Sequence, residues 1–239
     1  MLVNWSASAY RGTRHLTTGY RWFSSEFHEF DSVQYHEYDI RGFKVKLVYP
    51  QDITLPMDYD ALVVPTNSFL CGSKNKGYWL FRARKNVETR VHEKAGSALQ
   101  KELDTSVPFL NEESKIKGKV GDVIRTSAYG DLKHMKSLYH VVVPRTYSTQ
   151  TPKHIDELRE CYHKVLEIAI LESGVEKVGM PSLGSGIGGI EPNISADQFI
   201  AACEQLDGKL SVECSFIERK PFIMWQKALE KYKRSTSGS

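Results

Sequence analysis

The chain contains only four cysteines, Cys71, Cys161, Cys203 and Cys214, and they are scattered. None forms a C-x-x-C pair and no histidine stands at a metal-ligand spacing from any of them, which excludes the common structural zinc frameworks. A single core drawn from 239 residues, 41% of them hydrophobic, is large enough to hold without disulfide staples. The four are therefore expected as buried thiols in a reducing compartment. The eight histidines are equally dispersed, and Ser, His and Asp occur without a G-x-S-x-G elbow, so nothing supports triad hydrolase chemistry. No run approaches the roughly 20 apolar residues of a membrane span, and there is no internal repeat or long low-complexity segment. A formal net charge of +3 suits a phosphate-bearing ligand but is too mild to announce a nucleic-acid protein.

Acidic residues are missing from the start: none precedes Glu26, whereas Arg11, Arg14, Arg21 and many Ser and Thr residues do. That is the composition of an organellar transit peptide, and Arg21-Trp22-Phe23-Ser24 resembles a mitochondrial processing site. The alternatives are a basic, partly ordered extension and a cytoplasmic or nuclear protein. Residues 1–34 are expected as this extension, residues 35–234 as one domain and residues 235–239 as a flexible tail.

From about residue 35 short β-branched runs alternate with helical stretches, the pattern of a layered α/β fold. Strands are expected at 45–48, 61–64, 138–143, 177–181 and 212–217, with a weaker one at 121–127. Several are apolar on both faces, as strands covered by helices on both sides should be. Helices are expected at 87–102, 155–172, 195–205 and 224–233. The apolar stripe from Leu158 to Leu171 marks a core face, and Gly174 stops that helix.

The most informative segment reads Met180-Pro181-Ser182-Leu183-Gly184-Ser185-Gly186-Ile187-Gly188-Gly189-Ile190-Glu191-Pro192. An apolar strand enters a loop with four glycines, and a helix follows Asn193. Glycines let backbone approach a ligand closely and leave N–H groups free to converge on a diphosphate. Residues 184–189 also fit G-x-G-x-x-G, but that dinucleotide fingerprint belongs to an early βαβ unit whose helix starts inside the glycines. Here the loop lies late and Pro192 intervenes. A glycine-rich turn without a ligand is the remaining alternative.

Together with three other segments, this loop makes the sequence resemble the macrodomain family. Members typically carry Gly-Asp-Ile-Thr, then Asp-Ala-Ile-Val-Asn-Ala-Ala-Asn, a Gly-Asp strand and a Ser-Thr-Gly-Ile-Tyr-Gly loop. The counterparts here are Gln51-Asp52-Ile53-Thr54, Asp60-Ala61-Leu62-Val63-Val64-Pro65-Thr66-Asn67, Gly121-Asp122-Val123 and Gly184-Ser185-Gly186-Ile187-Gly188-Gly189. Their order and rough spacing agree over about residues 35 to 233.

The resemblance implies a three-layer α/β/α fold with a mixed central sheet. It also implies a site for ADP-ribose, free or attached to a protein or nucleic acid, in a monomer that needs no cofactor, no metal and no membrane. Asp52 would accept a charge-assisted hydrogen bond from the adenine amino group, and Ile53 would lend a backbone N–H beside the base. Asn67, whose amide both donates and accepts, would hold the distal ribose. Ser185, Gly186, Ile187, Gly188 and Gly189 would cradle the diphosphate, and Tyr147 or Phe216 would flank the adenine. Read alone, Asp52 is also a turn-capping residue before Leu55-Pro56, and both aromatics are equally core rings.

Departures from the family pattern carry information too. Where many members have a glycine run followed by Val-Asp-Gly, this chain has a longer basic stretch from Cys71 to Lys85, and aligning back from Ala95-Gly96 sets Val87-Glu88 at the Val-Asp. In hydrolytic branches that aspartate positions the water attacking the ribose anomeric carbon. The correspondence would make Glu88, with Asn67 orienting the ribose, catalytic in an ADP-ribosyl hydrolase or an O-acyl-ADP-ribose deacylase. The bland alternative is a first-turn helix glutamate facing solvent. Gly188 stands where the family usually has an aromatic over the distal ribose. Residues 74–90 set Lys74, Lys76, Arg82, Arg84, Lys85 and Arg90 against Glu88, with Tyr78, Trp79 and Phe81 interleaved. Such a segment reads as a solvated loop, as a lid pairing with the diphosphate, or as an RNA-binding surface.

Overall fold

Ala61-Leu-Val-Val-Pro-Thr66 and Ser137-Leu-Tyr-His-Val-Val142 are largely apolar, and a computed structural model buries both as interior strands of one sheet. The structure describes residues 32–55, 57–71, 86–146 and 149–237. Within them the strands are β1 (Gln34–Ile40), β2 (Phe43–Tyr49), β3 (Ala61–Thr66), β4 (Val123–Ser127), β5 (Ser137–Val142), β6 (Lys177–Met180) and β7 (Leu210–Ser215). They lie in the order β1-β2-β7-β6-β3-β5-β4. β2, β7, β6, β3 and β5 run parallel, while β1 and β4 are antiparallel edges. The sheet is therefore mixed, as the family pattern implies.

Five helices complete the layers: α1 (Val87–Ala95), α2 (Ser97–Ser106), α3 (Pro152–Leu171), α4 (Pro192–Glu204) and α5 (Arg219–Ser237). Alternation along the strands divides the core in two. Ala61, Val63, Tyr139 and Val141 face α3, α4 and α5, whereas Leu62, Val64, Leu138 and Val142 face α1 and α2. Trp225 of α5 is wholly buried beside Phe199, Tyr162 and Phe216; truncating it to Ala should cost about 3–5 kcal/mol. Caps fix the helix starts. Asn86 accepts from the Thr89 N–H at 2.8 Å, and Thr151 and His154 bond reciprocally ahead of Pro152.

Four features differ from the expectations. β1 was not expected, because Gln-Tyr-His-Glu-Tyr-Asp-Ile is polar at alternate positions; as an edge strand it buries only part of one side. The stretch 87–102 is two helices, since Gly96 adopts φ 71 and breaks the ladder between them. α4 starts at Pro192, where a missing N–H costs nothing, and α5 runs to Ser237, three residues into the expected tail.

Gln51 and Tyr59, which follow β2, pack on the face of β7 that carries Glu213. Glu213, almost fully buried, accepts from the Tyr59 hydroxyl at 2.7 Å and from Gln51 Nε2 at 2.7 Å, with Lys46 Nζ at 3.2 Å. Burial alone would raise its pKa, but these hydrogen bonds and the charges of Lys46 and Lys177 hold it below the ordinary value. The cluster thereby fixes where residues 51–59 leave the sheet.

Candidate functional site

Five parallel strands deliver their carboxyl ends to one edge. Residues 51–54 follow β2, Phe216 follows β7, the 181–189 loop follows β6, Asn67 follows β3 and Val143–Thr146 follow β5. β5 and β6 flank β3 on opposite sides although β5 is its next parallel strand in sequence, so the winding reverses there. Open α/β sheets bind ligands at such a reversal.

Asp52 occupies one end of this edge. Its Oδ1 accepts from the Thr54 N–H at 2.9 Å and the Thr54 hydroxyl at 2.8 Å, and its Oδ2 pairs with Arg90 of α1. Lys94, one turn further along α1, donates to the Thr54 carbonyl. The turn-capping alternative thus describes the carboxylate as it stands. Two oxygens offer about four acceptor sites; three are filled, which leaves one. Ile53 is buried, with its side chain in the α1–α2 half of the core.

Asn67 and Glu88 come together. Asn67 Nδ2 lies 3.4 Å from both Glu88 carboxylate oxygens, and the Thr66 hydroxyl donates to Glu88 Oε1. Asn67 Oδ1 accepts from the Phe69 N–H at 2.8 Å, which fixes the amide orientation. Glu88 is only 4% exposed, so the solvent-facing alternative is overturned: the first turn of α1 packs against the end of β3 and turns this residue inward.

The glycine loop is tightly built. The Gly189 N–H donates to the Gly186 carbonyl at 3.1 Å and the Ile190 N–H to the Gly184 carbonyl at 3.0 Å, while Thr146 donates twice to the Gly188 carbonyl. Gly189, at φ +76, therefore shapes the turn and has its amide engaged. The N–H groups of Ser185, Gly186, Ile187 and Gly188 meet no acceptor among the described residues. A Cβ on Gly188 would collide with the Gly184 carbonyl, which explains why no aromatic stands there; one on Gly186 would enter open space. Beneath, Leu183 N–H donates to the Tyr162 hydroxyl at 2.8 Å, Ser195 Oγ donates to the Leu183 carbonyl at 2.8 Å and Trp225 Nε1 donates to Ser182 Oγ at 2.9 Å. Burial pushes the Tyr162 phenol well above its ordinary pKa, so it remains a protonated anchor.

Beyond Asn67 a cavity of about 310 Å³ opens, lined among others by Ser68, Arg145, Lys153, His154 and Glu157. Neither Asp52 nor the glycine loop lines it. Phe216 is a core ring, 4% exposed and packed edge-on against Phe222 and Trp225, so it presents no free face to an adenine. Tyr147 and the basic aromatic residues 74–85 lie outside the described residues. Among the described residues no three His, Cys, Asp or Glu side chains could hold a metal ion. Sequence reasoning missed Thr66, the pairing of Arg90 with Asp52, and the Arg145–Lys153–His154 group. Pro-Arg at a strand end shortly before Pro-Lys-His at a helix start was the available signal for the last.

A family model described as Macro domain matches residues 65–199, more than half of the chain. The chain belongs to the macro domain family. The matched span contains Asn67, Glu88 and the glycine loop; Asp52, Ile53 and Phe216 lie outside it. Among solved structures, this macrodomain is similar to an Oceanobacillus iheyensis macrodomain with ADP, at 20% identity and a TM-score of 0.66, covering 86% of this chain and 100% of that one. It is also similar to a Trypanosoma brucei macrodomain in complex with ADP-ribose, at 20% identity and a TM-score of 0.56, covering 77% of this chain and 68% of that one. These likenesses establish the three-layer fold. None of the curated proteins matches the chain.

Proposed function

We propose that this macrodomain binds ADP-ribose, free or carried on another macromolecule, along the carboxyl edge of its sheet. One observation carries the proposal: Asp52 and Ile53 after β2, four unengaged amides after β6 and Asn67 after β3 stand in that order on one edge. Three interstrand spacings separate the ends of β2 and β3, about 14 Å at roughly 4.8 Å each, a span suited to adenosine joined through two phosphates to a second ribose. The remaining acceptor site of Asp52 takes the adenine amino group, the loop amides take the diphosphate, and Asn67 holds the distal ribose. Similar macrodomains bound to ADP and ADP-ribose support the assignment. Calorimetry tests it: folded protein should give saturable heat with ADP-ribose, and no heat at millimolar ligand removes the reading.

A second reading, hydrolysis of an ADP-ribosyl or O-acyl-ADP-ribose linkage, is favoured by Glu88 lying directly behind Asn67. A carboxylate held by Thr66 and Asn67 would, in this reading, align the attacking water beside the ribose that Asn67 holds. Release of ADP-ribose from modified protein, lost in Glu88→Gln, supports this; equal turnover in that variant defeats it.

A further inference from the structure

The cavity that Asn67 shares with the end of β5 has no role yet beyond Asn67 itself. Along the sheet edge the strand ends follow the order β2, β7, β6, β3, β5. A ligand laid from Asp52 across the glycine loop to Asn67 therefore points onward to the end of β5, where this cavity opens. In that pose, whatever is bonded to the terminal ribose would lie toward this cavity.

Its walls are cationic. Arg145 follows β5 and pairs with no carboxylate among the described residues. Lys153 and His154 stand in the first turn of α3, where Lys153 Nζ lies 3.6 Å from Glu157. The Thr151 N–H donates to His154 Nδ1 at 3.3 Å, so the neutral ring carries its proton on Nε2 and is a donor there too. Three donors of positive or polarisable character thus face one carboxylate, which Lys153 already compensates. Val120, 40% exposed, and Pro144 add an apolar wall. Arg145 and Lys153 outweigh Glu157, so the described lining favours an anion, and a lone imidazole, His154, is a poor stacking platform for bases beside that apolar wall. A peptide rich in Asp and Glu offers both carboxylates for the cations and methylenes for the apolar wall.

We propose that this cavity is an acceptor subsite: it receives the protein segment that carries the ADP-ribose and selects segments rich in acidic residues. The proposal rests on the ADP-ribose reading above. The test uses the full chain and peptides bearing one ADP-ribosyl group between acidic, neutral or basic flanks, with free ADP-ribose and an oligonucleotide ADP-ribosylated on a terminal phosphate titrated alongside. Acidic flanks should bind about tenfold tighter than basic ones, the worth of one charge-assisted hydrogen bond, and raising the salt should shrink the ratio. In Arg145→Gln/Lys153→Gln the ratio should fall to about one. Equal affinity for acidic and basic peptides, with free ADP-ribose binding intact, overturns the subsite alone. Tighter binding of the oligonucleotide than of the acidic peptide overturns the choice of partner. Absence of binding to free ADP-ribose overturns the functional reading and the subsite together.

Discussion

Asn67 and Glu88, 21 residues apart in sequence, meet where β3 ends and α1 begins, with the Asn67 amide nitrogen 3.4 Å from each oxygen of a buried carboxylate. The amide cannot turn, because its own oxygen is held by the Phe69 N–H. The amide and the carboxylate are therefore held as one fixed unit.

That unit predicts a separation of binding from turnover. Glu88→Gln keeps the side chain's shape and an acceptor for Thr66 but loses the charge. Release of ADP-ribose from modified protein should fall about 10²- to 10⁴-fold, the usual contribution of a positioned acid or base, while affinity for free ADP-ribose changes little. Single-turnover kinetics alongside calorimetry measures both; loss of affinity with unchanged turnover contradicts the assignment.

Asp52 has a structural duty that two substitutions can separate from its ligand contact. Asp52→Asn keeps an oxygen for the Thr54 turn and gives up the Arg90 ion pair, which is partly exposed at 28% on the arginine side; about 0.5–1 kcal/mol of stability should be lost. Asp52→Ala loses both interactions, about 1–3 kcal/mol. Urea denaturation ranks them, and an alanine variant as stable as the parent contradicts the described turn.

The loop glycines should not be equivalent. Gly186→Ala meets open space and an ordinary φ, so stability should stay within about 0.5 kcal/mol while ADP-ribose binding weakens as the new methyl enters the diphosphate's path. Gly188→Ala collides with the Gly184 carbonyl and should lower the melting temperature as well. A Gly186→Ala protein that binds normally contradicts the loop's assigned role.

His140 makes stability depend on pH. Burial, with a smaller contribution from His92, pushes its pKa down to about 3, against about 6.5 in an unfolded chain. The unfolded state therefore binds the proton first as pH falls. The contribution is complete above pH 6.5 and is lost progressively from there toward pH 3, with a slope approaching about 1.4 kcal/mol per pH unit. His140 Nε2 lies 3.0 Å from the Thr126 hydroxyl; His140→Gln can keep a bond there without titrating, and should flatten denaturation midpoints measured between pH 7 and 4.5. An unchanged slope contradicts this account.

The parallel strands were legible because they are buried on both faces: Ala61–Val64 and, His140 apart, Leu138–Val142 are apolar or aromatic whichever way a side chain points. β1 was not, since an edge strand with an exposed side reads as polar chain. The glycine loop announced itself through composition, yet its shape also depends on Thr146, 42 residues from Gly188, whose N–H and hydroxyl both donate to the Gly188 carbonyl. Glu88 shows the same limit. A glutamate in a helix's first turn reads as surface from local pattern, whereas the packing of α1 against Thr66 and Asn67 turns it inward. Phe216 reads as an available ring until α5 supplies Phe222 and Trp225 around it.

The central claim, that ADP-ribose lies along the carboxyl edge from Asp52 to Asn67, is tested most directly by following backbone and side-chain amide resonances of labelled protein during titration. The account predicts saturable shifts largest at Ile53, Ser185, Gly186, Ile187 and the Asn67 side chain. Saturating ligand that leaves those resonances in place, or moves only signals remote from this edge, contradicts it.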